Sequence, residues 1–246
     1  MRGLPLLARL DGRAFHTFTR GMKRPYEHGM STAMIETARY LVQDMTAIVG
    51  YTQSDEITLA WFESSQSASA YAFDGRFQKL ASVLAGMASA RFVQLVLKHL
   101  PEKAGETPHF DCRVWQVPTL DDAADVFVWR EDDAVKNSIT MAAGVYFTDA
   151  ELDGKNSSVK QEMLWQKGVN WNGFPSFFKR GTYLQRRTHE RPLADDERAR
   201  IPEAHRPPIG ATFQRTQVVE IDLPPVRKIE NLSAVLFERA APILKS

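Results

Sequence analysis

Val49-Gly50-Tyr51-Thr52-Gln53-Ser54-Asp55-Glu56-Ile57-Thr58-Leu59-Ala60-Trp61-Phe62 holds two β-prone runs, Val49–Gln53 and Ile57–Phe62, on either side of a polar break. It reads as a tight hairpin with Ser54-Asp55 at the tip. Just before it, Met30, Met34, Ala38, Leu41, Met45 and Ile48 recur at steps of three and four, which predicts a helix over 27–49 ended by Gly50. Earlier still, Pro5–Leu10 reads as a short buried strand broken at Asp11-Gly12. Beyond the hairpin, residues 63–76 are rich in Ser, Ala and Gly and include a short strand at Ala70–Phe73. Phe77–Leu97 is a second helix, with Phe77, Leu80, Leu84, Ala88 and Phe92 on one stripe. Lys98–His109 reads as a loop, and Phe110–Val117 as a strand ended by Pro118. Thr119 with Asp122 forms a capping box that opens a helix running towards Tyr146. Short helices and loops follow over 149–176, then a strand or hairpin at Phe177–Arg187, an exposed loop at Arg191–Gly210 and a strand at Thr216–Leu223. This alternation predicts an α+β fold, helices packed on a mainly antiparallel sheet. The tail beyond carries no usable motif.

With 246 residues and 43% hydrophobic composition, the chain can build a full core. It has no run of about 18 apolar residues, so no membrane span is expected. The start, Met1-Arg2-Gly3-Leu4-Pro5, runs almost directly into a strand and leaves no room for a signal peptide; the expected location is cytoplasmic. The single Cys112 excludes an internal disulfide and a Cys-rich zinc site, and it reads as packing. A net charge of +1 means that any nucleic-acid contact must use local patches, such as Lys179-Arg180 with Arg186-Arg187. The bland reading of that patch is solvated surface charge. His99, His109, His189 and His205 lack ligand spacing and read as surface groups.

Asp11 and Asp55 carry the chemistry. Two carboxylates at the ends of neighbouring strands can share a pair of Mg²⁺ ions, which clamp the oxygens of a phosphoryl transfer. Gly12 permits a tight turn and offers its carbonyl as a hard ligand. Glu56 is open as a ligand, as a group behind the ligands or as a structural acid. Arg13, His16, Lys23 and Arg24 are the nearby basic partners. The competing view is plainer: Asp11-Gly12 as a turn and Asp55 as a hairpin cap. No P-loop, Gly-x-Gly-x-x-Gly fingerprint, His-Glu-x-x-His helix or Gly-x-Ser-x-Gly elbow is present.

Asp11-Gly12-Arg13-Ala14-Phe15-His16 and Gln53-Ser54-Asp55-Glu56 resemble the two signatures of the tRNA-His guanylyltransferase family. Further matching blocks follow in order: Lys79–Ser82, Phe110–Val114, Trp129-Arg130 leading to Lys136-Asn137-Ser138, and Lys167–Asn172 to Lys179-Arg180-Gly181. The match covers most of residues 5–187 and looks nearest the bacterial and phage guanylyltransferase-like branch. The resemblance implies a polymerase-palm-like catalytic domain over 1–187, with 188–246 a loop and strand-containing tail. It implies two Mg²⁺ ions on Asp11, the Gly12 carbonyl and Asp55, with Glu56 beside them as a third catalytic acid. ATP and GTP are the implied substrates. Residues 11–16, Arg24 and Ser54 would contact the nucleotide. Lys79, Arg130, Lys136, Asn137, Lys179 and Arg180 would hold the triphosphate or RNA 5′ end. The implied reaction adds nucleotides in the 3′–5′ direction to a 5′-adenylylated tRNA, in a tetramer built as a dimer of dimers.

Three departures qualify this. The chain begins almost at the first strand, where the family has a helical segment. The family's Lys-Pro-Asn-Asp is Arg24-Pro25-Tyr26-Glu27, and the eukaryotic His-Ile-Asn-Asn is Val135-Lys136-Asn137-Ser138. The last favours template-dependent repair of 5′-truncated tRNA over obligatory guanosine addition. Two rivals stand beside this reading: a palm-fold cyclase or mononucleotide-modifying enzyme, and a non-catalytic RNA-binding relative.

Overall fold

A computed structural model describes residues 3–63 and 71–245. Among them, strand β1 is Leu6–Gly12, followed by a single helical turn α1 (Phe15–Phe18) and helix α2 (His28–Asp44). Strands β2 (Val49–Gln53) and β3 (Glu56–Trp61) make the hairpin. Helix α3 (Phe77–His99), strand β4 (Phe110–Gln116) and helix α4 (Leu120–Ala143) come next. Short helices α5 (Asp149–Leu152), α6 (Ser157–Gln166) and α7 (Ser176–Arg180) precede β5 (Thr182–Pro192), α8 (Asp195–Ala199) and β6 (Thr212–Ile221). The six strands form one antiparallel sheet in the order β4-β1-β3-β2-β5-β6.

Strand alternation sends successive side chains to opposite faces. Leu6, Ala8 and Leu10 join Ile57, Leu59 and Trp61 against α2 and α3. Leu7, Val49, Tyr51, Ala60 and Tyr183 face the other way, against Ala123, Ala124 and Phe127 of α4 and a cap made by Leu223–Phe237. The motif-free tail therefore closes half of the second core. Its anchors are polar: Gln185, fully buried, donates to the carbonyls of Val235 (2.8 Å) and Leu236 (3.0 Å), and Glu131 accepts the Val226 N–H (3.0 Å). A boundary after residue 187 falls inside β5.

Several expectations need correction. Helix α2 stops at Asp44, not at residue 49, because Met45 caps it and Thr46 turns left-handed (φ 53°). Gly50 lies within β2, and a Cβ there would sit 2.5 Å from Val42 Cγ2, so the glycine serves the helix–sheet contact. The apolar period runs on past the helix into a strand that faces the other core. Phe77 is 41% exposed, whereas Leu80, Leu84, Ala88 and Phe92 are buried as expected. Ala72–Gly75 is a 3₁₀ turn in place of a strand, and Ala70 lies outside the described residues. Residues 176–180 are helical before β5 begins, and β6 starts at Thr212. Within 191–210, α8 is held by an Arg191–Glu197 fork (2.8 and 2.7 Å) that takes the Glu197 carboxyl down to about 2.

The capping box is present: Thr119 Oγ1 accepts the Asp122 N–H and Asp122 accepts the Thr119 N–H. Cys112 packs against the first core, and burial pushes its thiol up to about 12. Helix α3 has the length and apolarity to cross a bilayer, but its buried stripe packs on α2 and the sheet.

Candidate active site

The register places Asp11 opposite Glu56 on β3 and opposite Asp111 on β4. Three carboxylates thus form a row across three strands, on the face that α4 covers. Like charges directly opposed on a sheet repel, and cations from the neighbouring row and the covering helix offset this. Arg9 donates to Asp11 Oδ1 (3.1 Å) and to Glu56. Arg113 lies 3.7 Å from Asp111. From α4, Arg130 donates to Glu56 Oε2 (3.0 Å) and Oε1 (3.3 Å), its flat guanidinium lying over Trp129. Arg130 is only 4% exposed. Glu56 is therefore the carboxylate shared by two guanidiniums.

The hairpin tip is clasped to the end of β1. The Gly12 N–H donates to the Asp55 carbonyl (3.0 Å), and the Arg13 N–H to the His109 carbonyl (2.9 Å). Ala14 (φ 56°) and Ser54 (φ 48°) are both left-handed, a conformation rare outside glycine. Two of the six left-handed non-glycine residues among the described residues thus lie near the aspartates, the others being Thr46, Phe73, Asp74 and Arg239. A Cβ on Gly12 would lie 2.4 Å from Phe15 Cδ2, and that ring is locked among Phe18, Phe92 and Phe110. Gly12→Ala is expected to cost about 1–3 kcal/mol by overpacking. A urea titration checks this, and a cost below about 0.5 kcal/mol would mean that the Phe15 ring moves freely.

Burial is the main cause that raises the Asp55 carboxyl to about 6; hydrogen bonds from its own backbone and from Ser54 oppose it, and the Asp11 charge adds to it. A pair of carboxylates under mutual repulsion is the hard oxygen donor set that Mg²⁺ takes. Among the described residues, no group of three or more His, Cys, Asp or Glu side chains could hold a metal. An ion held by Asp11 and Asp55 would need backbone and substrate oxygens to complete its shell.

Next to Ser54 opens a cavity of about 120 Å³. Its walls come from residues 19–31, the hairpin tip, α4 through Asn137 and Ser138, and α7 through Phe177 and Phe178. Tyr26 contributes an aromatic wall, its ring 4.9 Å from Phe178 and edge-on to Phe177. The enclosed space is well under the roughly 300–1,000 Å³ of a drug-sized pocket, so it suits one planar ring with the polar remainder outside. Arg24 and Lys23 lie at its wall, able to meet anionic oxygens.

The family profile for tRNAHis guanylyltransferase matches residues 1–118. A solved bacterial tRNA(His) guanylyltransferase-like protein in complex with ATP is 35% identical, with a TM-score of 0.71 over 76% of this chain and 80% of that one. The chain belongs to the tRNA(His) guanylyltransferase family. A second bacterial guanylyltransferase-like structure, in complex with GTP, is 29% identical and covers 93% of this chain and 87% of its own, with a TM-score of 0.70. The tRNA(His) guanylyltransferase of Schizosaccharomyces pombe is 29% identical over 191 residues, 72% of this chain and 71% of its own. The α+β, palm-like fold expected for the family is the fold found.

The family signatures meet at one place: Asp11, Gly12, Ser54, Asp55 and Glu56 converge, and Arg24, Ser54 and Asn137 reach the cavity. Arg13 and His16 are exposed, Arg13 within 3.3 Å of His109, which is the exposed surface group expected. Other family cations lie elsewhere. Lys79 sits over the Phe73 ring, and Lys136 is exposed on α4. Lys179 donates to the Asn172 carbonyl (2.6 Å), and Arg180 to the Leu223 carbonyl (2.9 Å), which ties down the tail. Sequence reasoning passes over Arg9, Asp111 and the aromatic wall. Arg9 is legible in principle, since strand period two puts it on the same face as Asp11.

Proposed function

We propose that this chain is a Mg²⁺-dependent nucleotidyltransferase that adds nucleotides to the 5′ end of tRNA. The observation that carries it is the small aromatic cavity opening beside Ser54 and Asp55, next to the Asp11 strand end. In the first step, the RNA 5′-phosphate attacks the α-phosphorus of ATP, releasing pyrophosphate and leaving a 5′-adenylylated end. In the second, the 3′-hydroxyl of an incoming nucleoside triphosphate attacks the RNA 5′-phosphorus, and AMP leaves. Asp11, Asp55 and the Gly12 carbonyl would hold the divalent ions, which neutralise charge building on the phosphoryl oxygens. The cavity orients the nucleotide by its ring, and Arg24 and Lys23 meet its anionic part. Arg9 and Arg130 hold Glu56 in place behind Asp11, so the reacting groups meet a rigid wall. ATP and GTP complexes of bacterial relatives support these substrates. Val135-Lys136-Asn137-Ser138 favours template-dependent repair. The same reading carries a cytoplasmic location and assembly as a dimer of dimers, which sedimentation would test.

The test is direct. Protein, Mg²⁺, ATP and GTP are incubated with a tRNA lacking its first 5′ nucleotide, and product length is read on a gel. A template-matched addition is the expected result. Triphosphate consumption without RNA, and no extension with it, would replace this reading by a small-molecule palm enzyme.

A further inference from the structure

Gln53, the last residue of β2, is 7% exposed, and its side-chain amide has no hydrogen-bond partner among the described residues. Strand alternation turns it to the face of Tyr51, towards α4, where it lines the cavity beside Ser54. A buried amide left unpaired is uncommon, because it has given up water without gaining a partner. The shorter polar side chains of the same cavity are committed elsewhere. Thr19 donates to the Phe15 carbonyl (2.8 Å), Ser31 to the Glu27 carbonyl (3.2 Å) and Ser138 to the Val135 carbonyl (2.9 Å). Asn137, exposed on α4, donates to Asp133 (3.4 Å), and Glu27 accepts the Gly29 N–H (3.4 Å). Lys23 and Arg24 are taken, in the reading above, by the anionic part of the nucleotide.

An amide matches the edge of a nucleobase, since it presents one acceptor and one donor side by side in a plane. Adenine offers a donor at N6 next to an acceptor at N1. Guanine offers an acceptor at O6 next to a donor at N1. The two patterns are opposite in order, and turning the amide over converts one fit into the other without changing its shape. The two substrates proposed above, ATP and GTP, are the pair that such a reader accepts.

We infer that Gln53 reads the nucleobase in this cavity, its amide turning over to take either purine. The inference rests on the nucleotidyltransferase reading above and adds to it the residue that sets base preference. Tyr26, with Phe177 and Phe178 against it, fixes the plane of the base, and Gln53 meets its edge. A carboxylate in place of the amide has acceptors and no donor. It still receives the N1 and N2 hydrogens of guanine, whereas its lone pairs oppose N1 of adenine.

The test titrates wild-type protein, Gln53→Glu and Gln53→Leu with ATP and with GTP in the presence of Mg²⁺, by isothermal titration calorimetry, and compares the ratio of the two dissociation constants. Both replacements are close to glutamine in size. The ratio cancels any loss common to both nucleotides, such as repulsion of the triphosphate by the added charge. Gln53→Glu is expected to shift the ratio towards GTP by about tenfold or more, the worth of a good bidentate base contact. Gln53→Leu is expected to weaken both nucleotides by about tenfold. An unchanged ratio in Gln53→Glu, or wild-type affinity for both nucleotides in Gln53→Leu, would overturn the role of Gln53 while leaving the nucleotidyltransferase reading intact if tRNA is still extended. Wild-type protein that binds neither nucleotide would overturn both.

Discussion

Asp55→Asn is expected to lower nucleotide addition by about three orders of magnitude or more while raising the melting temperature of the metal-free protein at neutral pH. On the proposed function, the activity loss follows from removing one of the two carboxylates that would hold the ions, whose charge is worth several kcal/mol in the transition state. The stability gain follows from the carboxyl itself. Burial first, and then the Asp11 charge, raise it to about 6 from the ordinary 3.8. The unfolded chain loses this proton near 3.8 and the folded chain keeps it to about 6. This group's contribution is therefore complete below the lower value and lost as pH rises through the upper one. Above pH 6 the ionised form costs up to about 3 kcal/mol. Asparagine cannot ionise and escapes that cost. Thermal melts in EDTA from about pH 4 to 8 check it: the wild type should lose several degrees relative to the variant across this window. Identical slopes would show that Asp55 is not strained by its neighbours.

The second large effect is on Glu56. Glu56→Ala leaves Arg130, 4% exposed, and Arg9 without their shared carboxylate. Breaking a buried ion pair from one side costs about 3–5 kcal/mol, because a desolvated charge stays behind. The lower end applies here, since Arg130 retains Asp133 at 3.5 Å and Arg9 retains Asp11. Glu56→Ala with Arg130→Met should recover part of that loss, because the stranded guanidinium goes too. Urea titrations of the two single variants and the double variant decide it. If Glu56→Ala costs less than about 1 kcal/mol yet abolishes addition, Glu56 works on the reacting groups directly and the positioning role is wrong.

Much of this protein is written locally. The Thr119–Asp122 box, the Ser54-Asp55 hairpin tip and the strand ending at Asp11-Gly12 depend on hydrogen bonds and side-chain periods within a few residues, so each is legible in the linear chain. The pairing of Asp11 with Asp55 is legible too, through motif chemistry. Partners chosen across distance are not. In the chain Arg130 reads as a cation for the triphosphate or the RNA 5′ end, and only the seating of α4 on the sheet puts it on Glu56, 74 residues away. The tail has no motif because its work is done by shape, Leu223–Phe237 filling the second core against Gln185 and Glu131. The end of α2 is hidden in the sequence because one apolar period runs through helix and strand alike, and the left-handed turn at Thr46 is what separates them. The order of residues alone thus settles most element types and the two aspartate-bearing strand ends, which short-range geometry sets. Which charges are desolvated together is settled by the packing of distant segments, because burial belongs to the folded chain and not to any stretch of it.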